Sequence, residues 1–287
     1  MRPISFVLVM LLVLVSVSDS MAQNYRFEKD VDYLGADRKE KADLYLPAAI
    51  PKGKRVPAVV IVHGGGWSGG VKDASRERNI GTNLALNGYV AMSIDYVLAA
   101  SKGTNVTWPQ NLYDCKTAVR WLRKNAERLQ IDPDKIGAIG GSAGGHLVSM
   151  LALTEPKDGL DPKGPYGEFS CRIQCVVDLY GPINLTERQS ISMFRKTNAD
   201  APELYRQASP HIYADKNDPP VLILHGTADK TVDYRQSEFF AEELKKAGTS
   251  HELIIIPDAP HTFHLQPKQR DLRPVVMGFF DKHLKTK

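Results

Sequence analysis

The stretch Ile139–Leu147, "IGGSAGGHL", carries a serine hydroxyl among four glycines. Gly140, Ser142 and Gly144 form G-x-S-x-G, between "KIGAIGG", which reads as a strand, and "HLVSMLALT", which reads as a helix. In that context the pattern is a nucleophile elbow: a sharp turn strains the serine backbone and pushes its Oγ outward. Small residues two before and two after allow strand and helix to approach. The start of the helix adds a positive dipole end beside a developing negative charge. A structural glycine-rich turn would account for the same residues without chemistry. A phosphate loop would not, because G-x-x-x-x-G-K-[ST] is absent.

A second glycine loop, "HGGGWSGG", runs from His63 to Gly70. Gly64-x-Gly66-x-x-Gly69 is a literal dinucleotide fingerprint, and Asp95 sits near the end of the next strand, where that fingerprint wants an acid. The leading His-Gly-Gly-Gly is left unexplained by nucleotide binding. Consecutive glycines can turn backbone N–H groups toward one point, which is what an oxyanion hole needs.

A serine hydroxyl is a weak nucleophile and requires a base, itself oriented by a third group. In a serine-elbow fold the acid and then the histidine follow in sequence, each beyond a late strand. "PVLILHGTADKTV" places Asp229 after one strand, and "LIIIPDAPHTF" places His261 after another. Asp178 on "VVDLYGP" is the rival acid, Asp258 a lesser one, and His264 the rival base. Among the other histidines, His63 is expected to order the glycine loop, His146 to be structural and His225 to be a buried packing residue. His211, His251 and His283 read as surface residues. Trp67 and Trp108 are candidates to line the cleft, although an aromatic near a loop is as often a packing residue.

These residues need a scaffold that brings them to one edge. Residues 25–46 read as two short strands. The continuous apolar runs at 56–63, 89–96, 135–141, 175–181, 220–226 and 251–257 read as strands buried on both faces. Segments 76–88, 111–129, 146–154, 234–248 and 270–284 have helical character, the first ending at Gly88 as a cap. Strand and helix alternate, which predicts a mostly parallel sheet wrapped by helices. The C-terminal edge of such a sheet is where sites are built. Residues 156–170 and 183–210 break the rhythm and read as insertions over that edge.

With 43% hydrophobic and 24% charged residues, the chain of 287 can bury a sizeable core and is not of disordered composition. The charges, 37 basic against 33 acidic, are interspersed, with no basic run suited to nucleic acid. Arg2, the apolar run Ile4–Val17 and the small residues Ser20 and Ala22 fit a secretory signal over residues 1–22. The expected cleavage follows Ala22, with Ser20 second. The run is shorter than the ~18 apolar residues that mark a spanning helix, and an uncleaved anchor is the alternative. Residues 23–287 are therefore expected to form one exported catalytic domain, periplasmic or extracellular, with no stable membrane insertion. Cys115, Cys171 and Cys175 read as buried free thiols, although an exported chain could oxidise two of them.

Taken together, "HGGGW", "GGSAGGHL", "PPVLILHGTADKTV" and "PDAPHTF" resemble the α/β-hydrolase superfamily over residues 28–285. Within it they resemble the hormone-sensitive-lipase-like and the bacterial feruloyl/acetyl-esterase-like (BD-FAE-like) carboxylesterases. The resemblance implies an α/β-hydrolase fold: a mostly parallel central sheet of about eight strands, helices on both faces and small insertions. It implies Ser142 as nucleophile, His261 as base, Asp229 as its orienter, and the N–H groups of Gly64, Gly65 and Ala143 as oxyanion hole. It implies no metal or organic cofactor. The lipase-like group often has an acid where this chain has Gly141, and Arg where Val97 follows Asp95-Tyr96. The short stretch before His63 also leaves little for a helical cap. These departures favour the feruloyl/acetyl-esterase-like group. The implied substrates are short acyl or aryl esters, including acyl decorations of plant polysaccharide. A prolyl-oligopeptidase-type peptidase, a formamidase or lactonase, and a non-catalytic scaffold are the alternatives. The first usually carries a propeller domain, and the last commonly loses triad members.

Overall fold

The computed structural model describes residues 24–100, 104–161 and 164–286, so the expected signal segment lies outside the described residues. Eight strands form one sheet in the order β1-β2-β4-β3-β5-β6-β7-β8. They are β1 Tyr25–Val31, β2 Ala42–Pro47, β3 Val56–Val62, β4 Val90–Ile94, β5 Ile131–Gly141, β6 Cys175–Leu179, β7 Val221–Gly226 and β8 His251–Ile256. β1 and β2 pair antiparallel, as do β2 and β4; every pairing from β4 through β3 to β8 is parallel. The chain has the α/β-hydrolase fold, as expected.

The apolar runs sit at the centre because both faces of the sheet are covered. In β3, Ala58, Val60 and Val62 join one core with Leu112, Val119 and Leu147, while Val59 and Ile61 join another with Ile80, Leu84 and Phe280. Side chains alternate between faces along a strand, so one short run serves two cores. Helices α2 (Gln110–Lys124), α4 (Ala143–Leu153) and α6 (Arg235–Ala247) pack on the first face; α1 (Ser75–Leu86) and α7 (Arg273–Phe280) pack on the second.

Several boundaries differ from the sequence reading. The single helix expected over 111–129 is two, α2 and a short α3 (Ala126–Leu129). Asn125 interrupts it, its side-chain amide bonding back to the Trp121 carbonyl at 2.9 Å. α4 begins at Ala143 rather than His146, because the elbow turn takes only one residue. The last helix ends in a wider turn over Asp281–Lys285. Residues 183–210 contain α5 (Pro202–Gln207) and lie against the site end of the sheet. They are tied there by Ser192 Oγ donating to the Gly66 carbonyl at 2.8 Å, and by His146 Nε2 bonding the Ala208 carbonyl at 2.7 Å. The three cysteines are free and buried, and burial pushes each thiol's pKa up.

Candidate active site

Ser142 is the single residue between β5 and α4, with φ 57° and ψ −121°. A non-glycine residue in that region is strained, and the surroundings must hold it there. Its N–H donates to the Leu179 carbonyl of β6 at 2.9 Å, which locks the turn to the sheet. Gly144 permits the close approach: a Cβ there would stand 2.0 Å from the Val62 carbonyl oxygen. The elbow expected from G-x-S-x-G is thus present in its geometry.

His261, in the loop after β8, places Nε2 at 2.9 Å from Ser142 Oγ and Nδ1 at 2.5 Å from Asp229 Oδ2. Asp229 lies in the turn after β7. Its Oδ1 accepts the N–H groups of Thr231 and Val232 at 2.8 and 2.9 Å, and its Oδ2 also receives His225 Nε2 at 3.1 Å. Burial by itself would raise this carboxyl's pKa. The imidazole and backbone N–H bonds outweigh it and hold the group well below the usual carboxylate range. The acid is therefore an anion whose orientation is fixed from both oxygens. Ser142, Asp229 and His261 come from three different strand ends and meet at one edge of the sheet.

The rivals do not join them. Asp178 on β6 is buried, its Oδ1 accepting the Gly181 N–H at 2.9 Å. Burial pushes it up to about 7. His264 Nδ1 accepts the Gln266 N–H at 3.0 Å, and the Asp258 backbone ties to Thr227 and Gln269. The nucleotide reading fails in geometry: α1 opens only at Ser75, well after Gly69, and Asp95 is engaged by the Lys72 N–H at 2.8 Å.

The His63–Gly70 loop lies beside Ser142. A Cβ on Gly64 would stand 3.2 Å from Ser142 Cβ and 2.8 Å from the Gly141 carbonyl. Gly65 has φ +117°, a conformation that turns the loop sharply and that other residues rarely adopt. Ala143 opens α4, so its N–H has no acceptor within the helix. Gly64 and Ala143 thus adjoin Ser142, and Gly65 lines the same cleft. His63 orders the loop as expected, with Nδ1 at 2.7 Å from the Gly64 carbonyl and its ring stacked on Tyr96. An open cleft of about 470 Å³ lies over Ser142, walled by this loop, Val71, Ala74, Arg76 and Thr231.

Trp67 and Trp108 do not line that cleft. Both are buried, Trp67 Nε1 donating to His146 and Trp108 Nε1 to Gln207. His146 is structural, as expected, and bridges Trp67 to Ala208. His211, His251 and His283 are partly buried rather than fully at the surface.

Sequence reasoning missed three neighbours. His225 is buried as expected, yet it contacts Asp229. Arg76 is clamped by Glu77 Oε1 (2.6 and 2.8 Å) and the Tyr180 hydroxyl (3.0 Å). Tyr180 donates to the Phe263 carbonyl and sets its ring against His261 at 4.8 Å. These contacts explain Gly141: a Cβ there would stand 2.8 Å from Arg76 Nη1 and 2.9 Å from the Tyr180 hydroxyl. A histidine four residues ahead of the acid, on a strand, was the one available signal for His225. Arg76 and Tyr180 had none. Among the described residues no group of His, Cys, Asp or Glu is arranged to hold a metal, and no helix is long and apolar enough to cross a membrane.

The sequence and the fold have counterparts in known proteins. The BD-FAE family model matches residues 42–244. Esterase LipQ of Mycobacterium tuberculosis is 30% identical over 82% of this chain and 57% of its own length, so the chain spans little more than half of that relative. A thermophilic esterase of the planctomycete Thermogutta terrifontis, Est2, superposes with a TM-score of 0.76 at 27% identity, covering 92% of this chain and 97% of that one. A truncated carbohydrate esterase from gut microbiota superposes with a TM-score of 0.80 at 24% identity, over 92% and 99% of the two chains.

Proposed function

This chain belongs to the BD-FAE family, and on that premise we infer that it is a serine carboxylic-ester hydrolase. The observation that carries the reading is the continuous line of hydrogen bonds from Ser142 Oγ through His261 to the buried Asp229 anion, at the floor of an open cleft. Ser142 Oγ attacks the ester carbonyl carbon while His261 Nε2 takes its proton. Asp229 holds the ring in the tautomer that leaves Nε2 free to accept, and stabilises the imidazolium. The oxyanion is received by the N–H groups of Gly64, Gly65 and Ala143. His261 returns the proton to the leaving alcohol, and water cleaves the acyl-enzyme by the same steps.

Short acyl or aryl esters fit the cleft best. Val71 and Ala74 are the only apolar side chains among its described lining residues, so a long acyl chain would find little surface to bury. Est2 is described with propionate and with butyrate bound, which supports the same size class here. Acetyl or feruloyl decorations of plant polysaccharide are the natural substrates that the family resemblance suggests. Peptidase, formamidase and lactonase activities use the same constellation and form the competing readings.

The test is Ser142→Ala against wild type on p-nitrophenyl esters of rising chain length, acetyl-xylan, methyl ferulate and an aminoacyl p-nitroanilide. Hydrolysis of the short esters should fall by about three orders of magnitude or more in the variant. Esterase activity that survives the substitution rejects Ser142. Wild-type cleavage of the anilide without the esters rejects the esterase reading.

A further inference from the structure

His225 lies in β7, close ahead of Asp229, and is fully buried. Its Nε2 stands 3.1 Å from Asp229 Oδ2 and 3.0 Å from the Val232 carbonyl oxygen. Both neighbours can only accept, so Nε2 carries the ring proton and donates to both. Nδ1 stands 2.7 Å from Ser237 Oγ on α6 and accepts the hydroxyl proton. The protons then form one consistent line: Ser237 to His225 to Asp229 from one side, Ser142 to His261 to Asp229 from the other. Two imidazole N–H groups converge on the same carboxylate oxygen.

We propose that His225 is a positioning residue for the acid: it fixes the rotation of the Asp229 carboxylate and lowers the proton affinity which that carboxylate confers on His261. The proposal rests on the triad reading given above. An oxygen that serves two donors polarises each less than it would polarise one. If the His225 N–H is removed, Oδ2 belongs to His261 alone. His261 then holds its proton more tightly, so the acid limb of the rate profile moves to higher pH. The carboxylate also loses one of the four N–H groups that hold it, so kcat falls.

The other charged and titratable groups near this pair come from every side. Asp178 reaches His225 from β6, and Asp233 from the turn before α6. Arg188, within 183–210, acts on Asp229. Tyr180 faces both rings, at 6.3 Å from His225 and 4.8 Å from His261, and connects them to Arg76 and Glu77 on α1. His225→Phe leaves all of these groups in the chain but removes the bonds to Ser237 and Val232 with the N–H to Asp229, and His225→Gln is the variant that restores the N–H.

The experiment is kcat and KM for p-nitrophenyl acetate against pH, with the full chain as wild type, His225→Phe, His225→Gln, Ser237→Ala and Ser142→Ala. His225→Phe is expected to lower kcat about tenfold, leave KM within about twofold and move the acid limb up by about half a pH unit. His225→Gln, whose amide N–H reaches the place of Nε2, is expected to return the limb and most of kcat. Ser237→Ala removes the hydroxyl that polarises the ring at Nδ1, so the Nε2–H donates more weakly to Asp229, and the limb is expected to move the same way by a smaller amount. Equal losses in the Phe and Gln variants, with the limb at its wild-type position, overturn the proposal and leave His225 a packing residue. If His225→Phe does not fold, Ser237→Ala decides alone, and an unmoved limb overturns the proposal. An active Ser142→Ala protein contradicts the triad itself. An inactive one beside an unmoved His225→Phe profile contradicts only the role of His225.

Discussion

Asp229 and Asp178 lie on neighbouring strand ends, both buried, and they hold their protons very differently. Asp229 receives four N–H groups and stays an anion. Asp178 receives one, and its Oδ2 has no partner among the described residues, so burial dominates and lifts it to about 7. Asp178 also lies deeper, so depth and a poorer donor supply act in the same direction. The shift has a sign. A carboxyl whose folded pKa is raised above its unfolded value favours the fold at low pH, and that contribution is lost as pH rises through the folded value. Asp178→Asn keeps an oxygen for the Gly181 N–H and cannot ionise. Thermal unfolding should therefore show the variant gaining on wild type as pH goes from about 4 to about 7, and levelling off above that. A difference in Tm that stays flat across that range would show that Asp178 does not titrate there.

At the scale of elements, the elbow works because β3, β5 and α4 come closer than side chains allow. The same substitution should have opposite signs at two glycines. Gly144→Ala places a methyl 2.0 Å from the Val62 carbonyl, where only backbone can yield. It should cost about 1–3 kcal/mol or more and displace Ser142, with activity lost alongside stability. Gly278 lies exposed within α7 with nothing near its missing Cβ, so Gly278→Ala should stabilise by about 0.5–1 kcal/mol and leave activity unchanged. Denaturant titration of both variants measures the contrast. A neutral Gly144→Ala would mean that the approach of helix to strand is not what shapes the turn.

For the whole molecule, the open cleft and the export reading meet in the cysteines. Cys115, Cys171 and Cys175 are buried and free, and burial disfavours the reactive thiolate in each. We propose that residues 1–22 direct export and that the mature chain begins at Gln23 with all three thiols unpaired. The intact mass of the exported protein checks both parts at once. It should match residues 23–287, take up no iodoacetamide while folded and three adducts once unfolded. Retention of residues 1–22 counts against the signal, and a mass lower by one disulfide counts against the free thiols.

The order Ser142, Asp229, His261 and the two glycine loops were legible in the sequence because each depends on local rules. A buried strand shows as an apolar run, an elbow needs glycines at fixed offsets, and a site in this fold sits just past a strand. The parallel sheet followed from the alternation of strand and helix, for a similar reason. What the sequence left open was decided by contacts between distant segments. The place of Asp229 just past β7 already favoured it over Asp178, and only the structure shows the contact with His261. Trp67 and Trp108 carry no local mark of burial, and only the packing of 183–210 against α4 places them away from the cleft. Gly141 could be noted as unusual, but its reason lies in Arg76 and Tyr180, distant in sequence and adjacent in space. Local spacing therefore specified the candidate residues and their order. The tertiary structure decided their partners, because hydrogen bonds and charge act over a few ångströms of space, whatever the separation along the chain.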